Sequence, residues 1–307
     1  MRALIVGGLG YIGSELIENY KKSDDTDLKV DIVDKNFVPH ILAGLDNRFT
    51  FYNVDMKDSE AMTPILEKKP DVVFMLAAEV QAESSVHREQ TIWENNFVAI
   101  VRVIEKCPEE ARIVFPSTGN VFGGVNEDEK YMNLTEEDAP RPKYPYAESK
   151  HAVEKYLRSS GKNFSVCRFG TNYGFSPGIR LNLVTNNFIK KALTGETIVV
   201  HGSGDNYRPT LCVKDSARAL LFLADCEKAK GEIFHVVSGN FKIRELAEKA
   251  CTINPSVKVE HIAKEVPFSS YHLCSEKIQK FGFKFEWTID RVLEDMTERF
   301  ICMKRGT

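Results

Sequence analysis

The opening run Met1-Arg2-Ala3-Leu4-Ile5-Val6-Gly7-Gly8-Leu9-Gly10-Tyr11-Ile12-Gly13 constrains the fold more than any other stretch of this 307-residue chain. Residues 3–6 read as a strand buried on both faces and pass without a spacer into glycines at 7, 10 and 13. The amphipathic stretch 12–22 then reads as a helix. Glycines at this spacing let the backbone approach a bulky anion, and the helix N-terminus turns its free N–H groups towards it. The anion this geometry suits is a dinucleotide pyrophosphate. Asp34 follows 21 residues past Gly13, at the end of a second apolar run, 30–33. A carboxylate there accepts hydrogen bonds from adenosine ribose hydroxyls and repels a 2′-phosphate, so NAD is expected over NADP. Lys35 beside it is a competing charge able to meet a phosphate. Gly7, Gly10, Tyr11, Ile12, Gly13, Asp34 and Lys35 are the first expected cofactor contacts.

Further apolar runs at 72–76, 112–115 and 165–168 alternate with helix-like segments at 59–68, 93–106 and 146–159. Continuous apolar strands separated by helices imply a parallel sheet covered on both faces, and right-handed crossovers make it a doubly wound α/β fold of the Rossmann type. After residue 174 the rhythm changes. Helices are expected at 183–193, from 213, and at 243–251 and 288–299, with strands at 198–201 and 233–237. The expected division is therefore a cofactor domain at 1–174 carrying the catalytic residues, and a smaller α/β domain at 175–307 for substrate, with some segments returning to the large sheet. Residues 119–138 read as a surface loop.

Composition narrows the class of partner. Lys plus Arg number 41 and Asp plus Glu 44, for a net charge of −3, which lacks the positive field of a nucleic-acid binder. No apolar run approaches the ~18–20 residues that span a bilayer. A strand pattern beginning at residue 1 leaves no room for a signal peptide, so the expectation is a cytoplasmic protein without a membrane partner. The seven cysteines are scattered and form no C-x-x-C pair, and His87, His151 and His201 lack ligand spacing. Reduced thiols and no metal are expected.

Tyr146 and Lys150 stand at i and i+4, on one helix face. A nearby ammonium lowers a phenol from ~10 towards the range of a general base. That pairing alone is frequent on solvated helices. Its weight comes from Thr118, 28 residues earlier and just past the expected strand 112–115, where open α/β sheets hold their ligand crevice.

With these motifs in place, the chain resembles the NAD-dependent epimerase/dehydratase family of extended short-chain dehydrogenases/reductases along essentially its whole length. Asp55-Met56 resembles the family's adenine-contacting pair, Leu76-Ala77-Ala78 its fourth-strand motif over the cofactor, and Asn96 a structural asparagine counted with the cofactor contacts. Residues 168–174 resemble the R-x-x-N-x-Y-G segment, and 207–219 the block carrying a pyrophosphate-gripping arginine, here Arg208. The resemblance implies NAD as cofactor, a nucleotide sugar as substrate, a homodimer formed through helices 93–106 and 146–159, and the catalytic set Thr118, Tyr146 and Lys150. It also implies that Tyr146, as phenolate, takes a proton from the sugar's C4 hydroxyl while Lys150 holds the cofactor ribose. Thr171, Asn172, Arg180 and Arg208 are the implied substrate contacts. Arg180 is equally compatible with a solvated loop, as are Glu79, Ser84 and Ser85 with plain loop roles, and helix 93–106 with ordinary core packing.

Departures from the family pattern narrow the chemistry. Dehydratases of the family follow the threonine with an Asp-Glu pair; this chain has Gly119-Asn120, neither able to act as acid or base. Thr171 stands where many members carry Asn, and Phe122 where they carry Tyr. C4 epimerisation needs no further acid or base and is the first expectation. A C4 dehydrogenase or reductase is the alternative, a 4,6-dehydratase a lesser one, and a non-catalytic NAD-binding sensor the rival from another class.

Overall fold

The computed structural model describes residues 1–80, 88–123, 133–263 and 270–305. The first part of the chain runs β1 (Arg2–Val6), α1 (Tyr11–Lys21), β2 (Lys29–Asp34), α2 (Pro39–Leu42), β3 (Phe49–Asn53), α3 (Ser59–Leu66) and β4 (Val72–Met75). It continues through α4 (Glu89–Trp93), a π-helical turn (Glu94–Val98), α5 (Ala99–Lys106), β5 (Arg112–Thr118), α6 (Pro145–Ser159) and β6 (Phe164–Phe169). Then come β7 (Thr171–Tyr173), α7 (Val184–Thr194), β8 (Ile198–His201), β9 (Tyr207–Cys212), α8 (Val213–Asp225), β10 (Glu232–Val236) and β11 (Gly239–Lys242). The last elements are α9 (Ile243–Cys251), β12 (Val259–Ile262), α10 (Glu276–Lys280) and α11 (Ile289–Arg305). No helix among the described residues is long and apolar enough to cross a membrane.

Seven parallel strands in the order β3-β2-β1-β4-β5-β6-β10 form the central sheet, the doubly wound arrangement expected. Its order reverses between β1 and β4, which opens a crevice at the strands' C-terminal ends. On one face, α1 and α8 bury Leu16, Ile17, Tyr20 and Leu220; on the other, α3, α5 and α6 bury Met62, Ile100, Val103 and Leu157. Each such side chain contributes about 1.5–3 kcal/mol by leaving water, and this anchors the sheet ends that carry the site. β10 returns to the large sheet beside β6, far along the chain. A three-stranded sheet β11-β9-β7 and the pair β12-β8 make the smaller layer, around Tyr173, Phe188, Leu246 and Val292.

Several elements differ from the pattern reading. It passes over β3, whose half-buried residues reflect an edge strand. The helix expected at 93–106 begins at Glu89 and is interrupted by the π turn. β5 extends to Thr118, so Thr118 ends the strand instead of following it. β4 pairs with β5 only through Val114, leaving one edge of β5 unpaired beyond it, a setting in which a strand tolerates Pro116. Of the expected loop 119–138, Gly119–Phe122 is a single 3₁₀ turn and Leu134 bridges to Leu273; residues 124–132 lie outside the described residues.

Candidate active site

The crevice holds two adjoining cavities. One, of about 300 Å³, is lined by Thr118, Tyr146, Lys150, Thr171, Asn172 and Arg180 among others. The other, of about 180 Å³, is lined by Asp34, Lys35, Asp55, Met56 and the 76–78 backbone. Gly7, Gly10, Leu76 and Ala78 line both. Gly7 has φ +86°, and a Cβ there would lie 2.4 Å from Ala77 N; one on Gly13 would lie 2.6 Å from the Gly7 and Gly8 carbonyls. A Cβ on Gly10 meets only Gly7 O, at 3.4 Å, so the room it leaves faces the cavities. Gly10 caps α1 without a side-chain hydrogen bond, and the first turn carries no acid. The loop thus presents open space and uncapped N–H groups to an anion, as a pyrophosphate requires. Asp34 Oδ2 accepts from Leu9 N at 3.0 Å and Oδ1 from Asn36 N at 2.9 Å, which ties the end of β2 to the glycine loop.

Across the crevice, α6 starts with Pro145 at its first turn, a residue whose fixed φ suits that position. Tyr146 and Lys150 therefore point from its first two turns towards the end of β5. Tyr146 and Thr118 line the same cavity, and the Thr118 Oγ1 accepts from Asn120 N at 3.1 Å. Burial raises the Tyr146 phenol, while the Thr118 hydrogen bond and the Arg180 charge pull it down. Lys150 Nζ donates to the Pro116 carbonyl at 2.9 Å and lies 4.6 Å from the Phe115 ring centroid. Burial pushes this amine down to about 7, with Glu154 pulling it up. Arg180 lines the same cavity as Tyr146 and Lys150 and is a second positive charge beside the phenol. Arg180 is placed by Asn186, which donates to its carbonyl at 3.0 Å and to the Tyr11 hydroxyl at 2.9 Å.

A family model described as the NAD dependent epimerase/dehydratase family matches residues 3–236. The chain belongs to this family. It is an NAD-dependent enzyme of the nucleotide-sugar epimerase/dehydratase class. A dTDP-glucose 4,6-dehydratase of Salmonella typhimurium is 30% identical over 269 residues, 79% of this chain and 73% of that one. DesIV, a dTDP-glucose 4,6-dehydratase of Streptomyces venezuelae solved with NAD and TYD bound, superposes with a TM-score of 0.85 at 24% identity, covering 100% of this chain and 98% of its own. A UDP-glucose 4-epimerase of Thermotoga maritima, solved with UDP-glucose, gives 0.82 at 23%, covering 99% and 100%. These two show the shared fold.

Within this family member, most expected contacts line the two cavities; Asn96 and Arg208 do not, and Tyr11 lines one while its hydroxyl bonds elsewhere. Asn96 is fully buried and lines neither cavity. Its amide brackets the backbone of Glu79, accepting from Glu79 N at 2.8 Å and donating to Glu79 O at 2.9 Å, while Asn95 reaches the smaller cavity. The π turn brings both asparagines into play, and such turns often mark functional sites. Tyr11 lines the larger cavity, but its hydroxyl is committed to Gly174 O at 2.5 Å, tying the glycine loop to the smaller layer. Arg208 is not among the lining residues, and its Nη1 donates to Tyr207 O at 2.9 Å. Glu79 lines the smaller cavity; Ser84, Ser85 and His87 lie outside the described residues. Pattern reading missed Tyr271, which lines the larger cavity and donates to Asn120 Oδ1 at 3.1 Å, and Leu273 beside it. No local motif announces a contact between positions 151 residues apart.

Proposed function

We propose that this enzyme is an NAD-dependent nucleotide-sugar 4-epimerase. One observation carries the reading. A Cβ on Gly119 would lie 2.7 Å from Leu273 Cδ1, and the neighbouring Asn120 side chain is engaged by the Tyr271 phenol. The place beside Thr118 where dehydratases of this family are expected to hold an acidic pair is thus filled by the loop at 271–273. Neither Gly119 nor Asn120 can shuttle a proton. The residues that remain serve chemistry at a single carbinol carbon.

The glycine loop would hold the cofactor pyrophosphate, Asp34 a ribose, Asp55 and Met56 the adenine side, and Lys150 the second ribose. Bound there, NAD supplies reversible hydride acceptance at the sugar's C4. Tyr146, as phenolate, takes the C4 hydroxyl proton and later returns it. Thr118 donates a hydrogen bond to the reacting oxygen, and Arg180 favours the phenolate. After oxidation the 4-keto sugar turns over and presents its other face, so Tyr146 serves both directions without a second acid.

The curated relatives named as 4,6-dehydratases favour a second reading, dehydration across C5 and C6. Proton NMR in D2O, with NAD and a panel of UDP-, GDP-, CDP- and dTDP-hexoses, separates the two. An epimerase yields a new anomeric doublet with C4-inverted couplings and no deuterium at C5. A 4-keto-6-deoxy product with C5 deuterium establishes the dehydratase, and a ketone with stoichiometric NADH a C4 dehydrogenase. NAD binding with no turnover of any sugar would sink all three.

A further inference from the structure

Behind the catalytic pair lies a buried network to which neither the sequence motifs nor the proposed chemistry gives a role. Glu154 stands one turn beyond Lys150 on α6 and is 1% exposed. Its carboxylate accepts from Arg168 through Nε at 3.1 Å and Nη2 at 2.8 Å, from the Ser117 hydroxyl, and lies 3.2 Å from His151 Nδ1. Ser117 sits on β5 between Pro116, whose carbonyl holds Lys150, and Thr118, which lines the cavity with Tyr146. Arg168 is opposite Ser117 in the β5–β6 register and stacks at 5.3 Å over Phe122. A single buried carboxylate therefore joins the helix bearing Tyr146 and Lys150 to the strand end bearing their partners. Held by charge-assisted donors in a dry interior, such a group is a fixed charge.

We propose that Glu154 is the positioning residue of the catalytic pair: its fixed negative charge keeps Lys150 in its ammonium form, and its bond to Ser117 sets the strand end against α6. This rests on the assignment of Tyr146 and Lys150 made above. Desolvation alone favours a neutral amine at Lys150, and the charge that opposes it is Glu154. Against Lys150 lie the Pro116 carbonyl and the Phe115 ring, and Glu154 stands four residues on along the same helix. Toward Glu154 face Arg168, Ser117 and His151. Further out, His235 is paired with Arg168 in the β6–β10 register, and Glu136 accepts from the His235 amide at 2.6 Å. The His235 ring is pushed down to about 3 by burial, so it stays neutral through the working range.

The test follows the Lys150 amine itself, by ¹³Cε-lysine NMR titration of the whole protein, with the signal assigned by its loss in Lys150→Met. In Glu154→Gln the titration midpoint is expected to fall by at least one pH unit, about tenfold in proton affinity. The alkaline limb of kcat/KM is expected to fall with it, so activity lost at pH 8 returns as pH is lowered. Glu154→Gln leaves the Arg168 charge buried without its partner, so the double variant Glu154→Met/Arg168→Met, which removes both charges, is measured beside it. A displacement in the same direction but smaller is expected there, because the Arg168 cation that opposes the ammonium form is removed as well. An unchanged Lys150 midpoint in a folded variant, with only a lower Tm, would reduce Glu154 to a structural ion-pair partner and overturn the proposal. A displaced midpoint in an enzyme that turns over no nucleotide sugar would refute the proposed function while leaving this inference standing.

Discussion

The two halves of the crevice are built differently. The cofactor half comes from chain neighbours: β1, the glycine loop and α1 are consecutive, and Asp34 reaches back to Leu9 from the adjacent strand. The sugar half is collected from the end of β5, the start of α6, the loop carrying Arg180, and the 271–273 loop, which are 28 to 155 positions apart. Local construction leaves little freedom, because a Cβ at Gly7 or Gly13 has no room. Assembly from distant loops leaves much more.

The largest expected effect strikes the sugar half alone. Tyr146→Phe should lower turnover by about 10²–10⁴-fold while leaving NAD affinity within about threefold, read by NMR conversion and by calorimetric NAD titration. Turnover within a factor of two of wild type would remove Tyr146 from the mechanism and dissolve the division between the halves.

Gly13→Ala should do the reverse. Its Cβ would press on two carbonyls at 2.6 Å, so NAD affinity should fall by about a hundredfold, near 3 kcal/mol. Unaltered NAD binding in this variant would show the loop to be an ordinary tight turn.

Gly119→Asp tests the packed boundary between the halves. The new side chain meets Leu273 Cδ1 and should cost about 1–3 kcal/mol in chemical denaturation. Gly119→Asp/Asn120→Glu/Leu273→Ala should recover much of that loss and begin to exchange the sugar's C5 proton with D2O. A single variant as stable as wild type would mean the 271–273 loop does not fill that space.

Asp34→Ala should shift the NAD-to-NADP affinity ratio about tenfold towards NADP, with Lys35 left beside the 2′ position. An unchanged ratio would place cofactor discrimination elsewhere.

The sequence by itself determined the doubly wound sheet, the glycine cradle, Asp34 and the Tyr146–Lys150 pair, because each is written in neighbouring residues or in one periodicity. It marked Asn96 as a structural asparagine without showing what it holds: the π turn buries its amide against the Glu79 backbone, and that leaves no sign in a pattern of apolar spacing. At Arg208 the motif fixes only where the residue stands on β9; that its Nη1 donates to Tyr207 O is decided by packing. Only the tertiary structure decided that Leu273 and Tyr271 close over Gly119-Asn120, that Arg180 shares a cavity with Tyr146, and that Glu154 is held by Ser117 and Arg168 behind the catalytic pair. Contacts of this kind depend on where separate elements dock, and docking is set by the whole buried surface and not by any stretch of chain short enough to read as a motif.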